Sequence, residues 1–150
     1  MTLMLKGTLR PICEAEVVTT MKALIVDDDV DIHELLAEVL FSNNFDAECM
    51  DSPVEALACL KQRSSEFQLI VTDISMPEMD GYQFIHGVRQ LGIKTPIIAV
   101  TGISLAALKL PVEEESGRKS PDICLSKPFS YEDFYNAIGE ISHLIEYKVS

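Results

Sequence analysis

The sequence is poor in basic side chains. Its 150 residues include 12 lysines and arginines against 24 aspartates and glutamates, which gives a formal charge of −12 at pH 7. Proteins that bind nucleic acid through their own surface neutralise phosphates with clustered Lys and Arg. The charge therefore argues against direct nucleic-acid binding and favours cations or basic partners.

Long apolar runs and closely spaced cysteines are also absent. No segment approaches the roughly 20 apolar residues needed to cross a bilayer, and the apolar run at residues 3–5 is too short for a signal-peptide core. The cysteines show no CxxC pair and no histidine at metal-ligand spacing; they are Cys13, Cys49, Cys59 and Cys124. We expect reduced thiols, a cytoplasmic location and no contact with a membrane.

Regular patterning begins near Met21. Residues 1–20 show neither a helical nor a strand period, whereas Met21 opens an apolar run that ends in three aspartates. The length and the 47% apolar share fit one globular domain that buries a sizeable core. We predict a tag-like or non-domain leader at residues 1–20 and a single domain at residues 21–150.

Short apolar strands alternate with amphipathic helices within this domain. The predicted strands lie at residues 23–26, 47–50, 69–71, 97–100 and 123–125. Two helix starts are marked by Ser52 followed by Pro53, and by Ser130 with Asp133 three residues later. The alternation predicts a doubly wound, flavodoxin-like α/β fold, in which helices cover both faces of a five-stranded parallel sheet.

Polar side chains follow four of these strands. Asp27 and Asp28 follow the first strand, Asp73 the third, Thr101 the fourth, and Lys127 lies just past the fifth. Ligands of doubly wound folds bind at this edge of the sheet. Neighbouring carboxylates repel by about 4 kcal/mol per pair at an effective dielectric near 20, so the cluster indicates a bound cation. Hard oxygen ligands favour Mg²⁺, and Mn²⁺ is also suitable.

Thr101 and Lys127 add contacts for an anion held beside the cation. A carboxylate, a divalent cation and two groups that contact oxyanions are the parts of a phosphoryl-transfer site. Asp73 is the predicted nucleophile because it ends the central buried strand. Pro77 and Gly81 shape the loop that follows it.

Four segments of the chain resemble the receiver domains of two-component response regulators. They are LIVDDD at 24–29, IVTDISMPEMDG at 70–81, IAVTG at 98–102 and LSKPF at 125–129. Each segment lies at the end of a predicted strand, and the four occur in the family's order. The resemblance extends from Lys22 to Tyr147.

The resemblance implies that Asp73 accepts a phosphoryl group from a sensor histidine kinase or a histidine phosphotransfer protein. Asp28, Asp73 and the backbone carbonyl of Ser75 would bind Mg²⁺ directly, and Asp27 would bind it through a water molecule. On this basis we expect a signalling phosphoacceptor and not an enzyme that acts on a separate substrate.

The resemblance also implies how the signal is passed on. Thr101 would turn toward the phosphoryl oxygens, Lys127 would pair with them, and the peptide bond between Lys127 and Pro128 would be cis. The protein would act by contact with a downstream protein of unknown identity. It would be either a monomer or a homodimer that forms on phosphorylation.

Two features depart from the family pattern. Cys124 occupies the position where receivers usually carry an aromatic residue that moves with the threonine. Thr101 and Lys127 are also further apart than the family pattern suggests. Residues 111–121 are charged and aperiodic and start with Pro111, so we expect an irregular segment instead of a full fourth helix. A solvated insertion without a role is the alternative.

Other interpretations stay open at this point. Asp27, Asp28 and Asp29 could cap a helix, and Asp29 is the one best placed for that role. The chain could be a stand-alone receiver, a receiver from a larger regulator or hybrid kinase, or a receiver-like module that is never phosphorylated. A Mg²⁺-dependent phosphohydrolase of the haloacid-dehalogenase type is disfavoured, because Ser75 stands where those enzymes have a second aspartate. The histidines form no cluster and are interpreted as structural; they are His33, His86 and His143.

Overall fold

The computed structural model describes residues 2–5, 8–11, 20–102 and 121–145. The strands in this part of the chain are β1 (Thr2–Leu5), β2 (Thr8–Pro11), β3 (Met21–Val26), β4 (Phe45–Met50), β5 (Leu69–Asp73), β6 (Ile97–Thr101) and β7 (Ile123–Ser126). The α-helices are α1 (Val30–Ser42), α2 (Pro53–Arg63), α3 (Gly81–Gln90) and α4 (Tyr131–Ile141). Short 3-10 helices lie at Ser64–Glu66 and Ser142–Leu144.

Five strands form one parallel sheet in the order β4-β3-β5-β6-β7. This is the doubly wound arrangement predicted from the sequence, with β5 at its centre. β1 and β2 pair antiparallel in a separate two-stranded sheet. They lie in the predicted leader, where four-residue strands are too short to produce a recognisable period.

Helices cover both faces of the parallel sheet, as predicted. On one face α1 and α4 bury apolar side chains against the strands: Leu36, Val39, Leu40, Phe134, Ile138 and Ile141. On the other face α2 and α3 do the same with Ala56, Leu60, Phe84, Ile85 and Val88. Because both faces are covered, every residue of β5 and β6 is buried. Burying each large side chain stabilises the fold by roughly 1.5–3 kcal/mol.

Side-chain caps fix where the helices begin at the carboxyl ends of the strands. The N-cap residues are Asp29, Ser52, Asp80 and Ser130. The predicted caps at Ser52 and Ser130 are confirmed, and Ser130 forms a capping box with Asp133. The Asp29 carboxylate accepts a hydrogen bond from the Asp31 amide at 3.0 Å, so Asp29 is a cap, as expected.

Residues 103–120 lie outside the described part of the chain. The irregular fourth helix and the loop predicted at 111–121 fall almost entirely in this stretch, and they stay predictions. Among the residues that the structure does describe, no helix has the length and hydropathy of a membrane-spanning segment.

Candidate functional site

Three aspartates converge at the carboxyl end of the parallel sheet. Asp27 and Asp28 directly follow β3, and Asp73 is the last residue of the neighbouring strand β5. One carboxylate oxygen from each lies within 4.8 Å of the others. Asp27 is 1% exposed and Asp73 5% exposed, whereas Asp28 faces solvent. The structure thus brings together the carboxylates that the sequence places at one edge.

The electrostatics of this cluster disfavour the charged form of two of its members. Burial raises the pKa of Asp27, although the Asp29 amide donates to Asp27 Oδ1 at 2.9 Å. Burial and then the charge of Asp27 raise the pKa of Asp73. Such a cluster is stabilised when a cation neutralises it.

Lys127 faces the same carboxylates. Its Nζ lies 3.5 Å from Asp27 Oδ2 and 3.7 Å from Asp73 Oδ1, and its side chain is 23% exposed. The peptide bond between Lys127 and Pro128 is cis, as the resemblance implies. The ammonium group is therefore held beside Asp73 at a point that an incoming anion can reach.

Thr101 ends β6 and is fully buried. Its backbone carbonyl accepts a hydrogen bond from the Lys127 amide at 2.6 Å, and it lies opposite Ser126 of β7. The backbone thus links Thr101 to Lys127 across neighbouring strands. Both residues lie at the edge of the sheet where Asp73 is located.

The loop after Asp73 is fixed by close backbone packing. The Gly81 amide donates to the Ile74 carbonyl at 2.8 Å. A Cβ atom at Gly81 would lie 2.4 Å from the Asp73 carbonyl oxygen and 2.7 Å from Ile74 Cα, so this position requires glycine. Ser75 is exposed, and its amide donates to Asp73 Oδ1 at 3.4 Å. A role for the Ser75 carbonyl in binding metal stays a prediction.

The donor set suits a hard divalent cation. Three carboxylates supply oxygen ligands within reach of one another, and one ammonium group at 3.5–3.7 Å offsets only part of their charge. Mg²⁺ is commonly bound by one or two carboxylates together with water, and it prefers oxygen ligands of this kind. The residues present therefore fit Mg²⁺ or Mn²⁺.

His33 contacts this site, which the sequence did not predict. It is the fourth residue of α1, and its Nε2 is hydrogen-bonded to the backbone carbonyl of Asp27. The contact depends on the rotation of α1 about its axis, which hydrophobic periodicity defines only coarsely. The only signal in the sequence is a polar ring six residues after Asp27 in the first helical turns.

Cys124 lies in β7, where receivers usually have the aromatic residue. It is half-buried and, like Tyr82, packs against the core cluster between the sheet and helices α2 and α3. Burial raises the pKa of the Cys124 thiol, so the neutral form is favoured. The position is therefore occupied by a small, uncharged side chain.

Comparisons with known sequences identify relatives in two-component signalling. The family model described as "response regulator receiver domain" matches residues 23–139. The chain is 38% identical over 108 residues to the sensor histidine kinase RcsC of Escherichia coli K12, and this match covers 72% of the chain but only 11% of RcsC. It is 30% identical over 120 residues to the response regulator receiver protein CpdR of Brucella abortus, which covers 80% of the chain and 95% of CpdR.

Solved structures show the same architecture. The chemotaxis response regulator CheY4 of Vibrio cholerae superposes with a TM-score of 0.66 at 26% identity, covering 82% of this chain and 99% of CheY4. The receiver domain of the Francisella response regulator 1452 gives a TM-score of 0.66 at 25% identity, covering 83% and 98%. With four motifs at the strand ends and a family match over most of its length, the chain belongs to the receiver domain family of two-component response regulators.

Proposed function

We propose that Asp73 is the phosphoacceptor of this receiver domain. Its donor is a phosphohistidine on a sensor histidine kinase or a histidine phosphotransfer protein. The observation that carries the proposal is the convergence of the buried Asp73 carboxylate with Asp27, Asp28 and Lys127 at one edge of the sheet. Asp73 lies beside an ammonium group that offsets negative charge and beside two carboxylates that could share a cation with it.

The transfer exchanges one bond to phosphorus for another. An Asp73 carboxylate oxygen forms the new bond to phosphorus while the bond from phosphorus to the donor's histidine nitrogen breaks, and the electron pair of that bond stays on the imidazole. Lys127 offsets the negative charge that the phosphoryl oxygens bring beside Asp73. Positioned charges of this kind are the main protein contribution to phosphoryl transfer.

A divalent cation completes the site. Asp27, Asp28, Asp73 and the Ser75 carbonyl are the groups that would hold Mg²⁺, and Mn²⁺ would serve in its place. When bound, the cation neutralises the carboxylates and the phosphoryl oxygens together. Without it, burial raises the pKa of both Asp27 and Asp73, and the charge of Asp27 raises the pKa of Asp73 further.

Thr101 reports the modification to the rest of the molecule. Its hydroxyl, at the end of β6, turns to donate a hydrogen bond to a phosphoryl oxygen on Asp73. Because Thr101 and Lys127 share a backbone hydrogen bond, this movement reaches the loop after β7. With Cys124 in place of the usual aromatic residue, the change is read by a downstream protein without a large aromatic rearrangement.

The relatives support two settings for this activity. CpdR, which the match covers almost entirely, supports a stand-alone receiver. RcsC, of which the match covers about a tenth, supports a receiver within a larger signalling protein. In both settings we propose a cytoplasmic phosphoacceptor, monomeric or dimerising on phosphorylation, that does not act as an enzyme on other molecules.

Phosphorylation by a small donor tests the proposal. The parent protein, incubated with Mg²⁺ and acetyl phosphate, should gain the mass of one phosphoryl group in an acid-stable, base-labile linkage. Asp73→Asn should not be labelled, whereas Asp51→Asn, which changes an exposed aspartate outside the cluster, should be labelled like the parent. An unlabelled parent, or equal labelling of Asp73→Asn, would reject the assignment.

A further inference from the structure

We propose that His33 is a positioning residue for the cation site. Its ring holds the backbone of Asp27 so that the carboxylates of Asp27 and Asp28 stay close together before a cation arrives. This inference rests on the proposed function only in assuming that Asp27, Asp28 and Asp73 bind a divalent cation.

The chemistry of the two atoms defines which of them donates the hydrogen bond. His33 Nε2 lies within hydrogen-bonding distance of the Asp27 backbone oxygen. A carbonyl oxygen only accepts, so Nε2 carries the proton and donates it. The first turns of α1 are thereby attached to the segment that links β3 to the helix.

Asp27 is held from several sides, and His33 supplies the contact from a side chain of α1. The Asp27 amide donates to the Met50 carbonyl at 3.1 Å, and the Asp29 amide donates to Asp27 Oδ1 at 2.9 Å. The His33 ring closes the arrangement at the Asp27 carbonyl, immediately before Asp28. Since Leu36 in the next turn of α1 is buried in the core, the backbone that carries His33 is itself fixed.

Positioning matters here because the carboxylates repel one another. Without the His33 contact, the segment after β3 can relax and let Asp27 and Asp28 move apart. A cation would then have to reorder the segment as it binds, which weakens its affinity. Groups that orient metal ligands from outside commonly change metal affinity by about 10- to 100-fold.

Mn²⁺ binding tests this role without relying on phosphorylation. The free Mn²⁺ signal in electron paramagnetic resonance measures binding directly. His33→Leu, which lacks a donor, and His33→Asn, whose amide is too short to reach, should both bind Mn²⁺ about tenfold more weakly than the parent. His33→Gln extends an amide donor about as far as Nε2 and should restore most of the affinity. His143→Leu, an exposed histidine in a 3-10 helix, is the matched control and should bind like the parent.

A second readout separates positioning from chemistry. In acetyl phosphate labelling, His33→Asn should need about tenfold more Mg²⁺ for half-maximal rate but reach the parent's rate at saturation. Circular dichroism checks that each variant is folded. If His33→Leu does not fold, His33→Asn alone is compared with the parent.

Two results would overturn the inference: parent-like Mn²⁺ affinity in folded His33→Asn, or equal weakening in His33→Gln and His33→Asn. If the parent binds Mn²⁺ with the expected His33 dependence but Asp73 is not labelled, the proposed function fails and the positioning role stands. If Asp73 is labelled but the His33 variants bind Mn²⁺ like the parent, the proposed function stands and the positioning role fails.

Discussion

The two ends of the parallel sheet differ in how closely their acidic side chains are paired with basic ones. At the carboxyl end, Asp27, Asp28 and Asp73 lie together, and Lys127 is 3.5 Å from Asp27 and 3.7 Å from Asp73. At the amino end, where α2 returns to the sheet, Arg63 lies 2.9 Å from both Glu48 and Glu66. Lys22 adds further ion pairs to the same glutamates at 3.3 and 3.5 Å. We call Asp27, Asp28, Asp73 and Lys127 the aspartate cluster. The arginine cluster consists of Arg63, Lys22, Glu48 and Glu66.

The pKa values of the carboxyl groups show what this difference means. Arg63 lowers the pKa of Glu48 and lowers that of Glu66 to about 2, so the arginine cluster favours charged carboxylates. Burial raises the pKa of Asp27 and Asp73, so the aspartate cluster disfavours them. In the arginine cluster two basic side chains face two glutamates, whereas in the aspartate cluster one lysine faces three carboxylates, an arrangement that fits a cation.

The largest expected effect comes from disturbing the backbone that supports the aspartate cluster. Gly81→Ala places a methyl group 2.4 Å from the Asp73 carbonyl oxygen and should lower the free energy of unfolding by about 3 kcal/mol. Gly139→Ala, in α4, meets nothing within 4 Å and should be neutral or slightly stabilising. Urea denaturation measures both. Equal stability of the two variants would show that the loop after Asp73 yields easily.

Much of the aspartate cluster could be predicted from the sequence. Asp27, Asp73 and Thr101 each follow or end an apolar strand, and parallel strands necessarily bring their carboxyl ends to one edge. The helix caps at Ser52 and Ser130 could also be predicted, because each depends only on a few neighbouring residues. Order along the chain therefore suffices wherever geometry follows from strand direction.

The arginine cluster could not be predicted in this way. Arg63 and Glu48 are 15 residues apart, and their contact depends on how α2 rotates over β4. The bond between His33 and Asp27 depends likewise on the rotation of α1. Hydrophobic periodicity defines which face of a helix is buried but not the position of a polar side chain at its margin. Contacts of this kind require coordinates.

The next prediction separates cation binding from anion contact within the aspartate cluster. Lys127→Met removes the positive charge beside Asp73 and should slow labelling by acetyl phosphate about 100-fold, because a charged contact to the phosphoryl oxygens is lost. Mn²⁺ affinity should not fall, since the lysine repels a cation. Labelling kinetics and Mn²⁺ binding provide the two measurements. A parallel loss of both would assign Lys127 to holding the metal site together.

Neutralising one carboxylate at each end tests the comparison directly. Asp27→Asn keeps an acceptor for the Asp29 amide and removes a charge whose burial is unfavourable, so without metal it should raise the free energy of unfolding by about 1 kcal/mol. Glu48→Gln removes a partner of Arg63 and should lower it by about 0.5 kcal/mol. Urea denaturation in EDTA measures both changes. Changes of the same sign would mean that the two clusters do not differ as proposed.

Adding Mg²⁺ sharpens the same pair of variants. A ligand that binds only the folded state at 100 times its Kd stabilises a protein by about 2.7 kcal/mol. The parent and Glu48→Gln should gain stability from Mg²⁺ to the same extent. Asp27→Asn should gain clearly less, because it has lost one of the charges that attract the cation. Thermal unfolding with and without Mg²⁺ shows whether this holds.

The smallest effect concerns the pH dependence of the arginine cluster. Glu66 has a pKa of about 2 in the folded protein against an ordinary value of 4.5, so its contribution to stability is present above pH 4.5 and is lost as pH falls toward 2. Glu66→Gln should therefore flatten the loss of stability between pH 4.5 and 2, with little change below that range. Arg63→Met should flatten this loss of stability as well. The double variant should be little flatter than either single variant, because both substitutions remove the same interaction between Arg63 and Glu66. Denaturation series across this range measure the slopes. If the effects of the two substitutions simply add, Arg63 is not the cause of the low pKa of Glu66, and the amino end of the sheet is less tightly matched than its 2.9 Å contacts suggest.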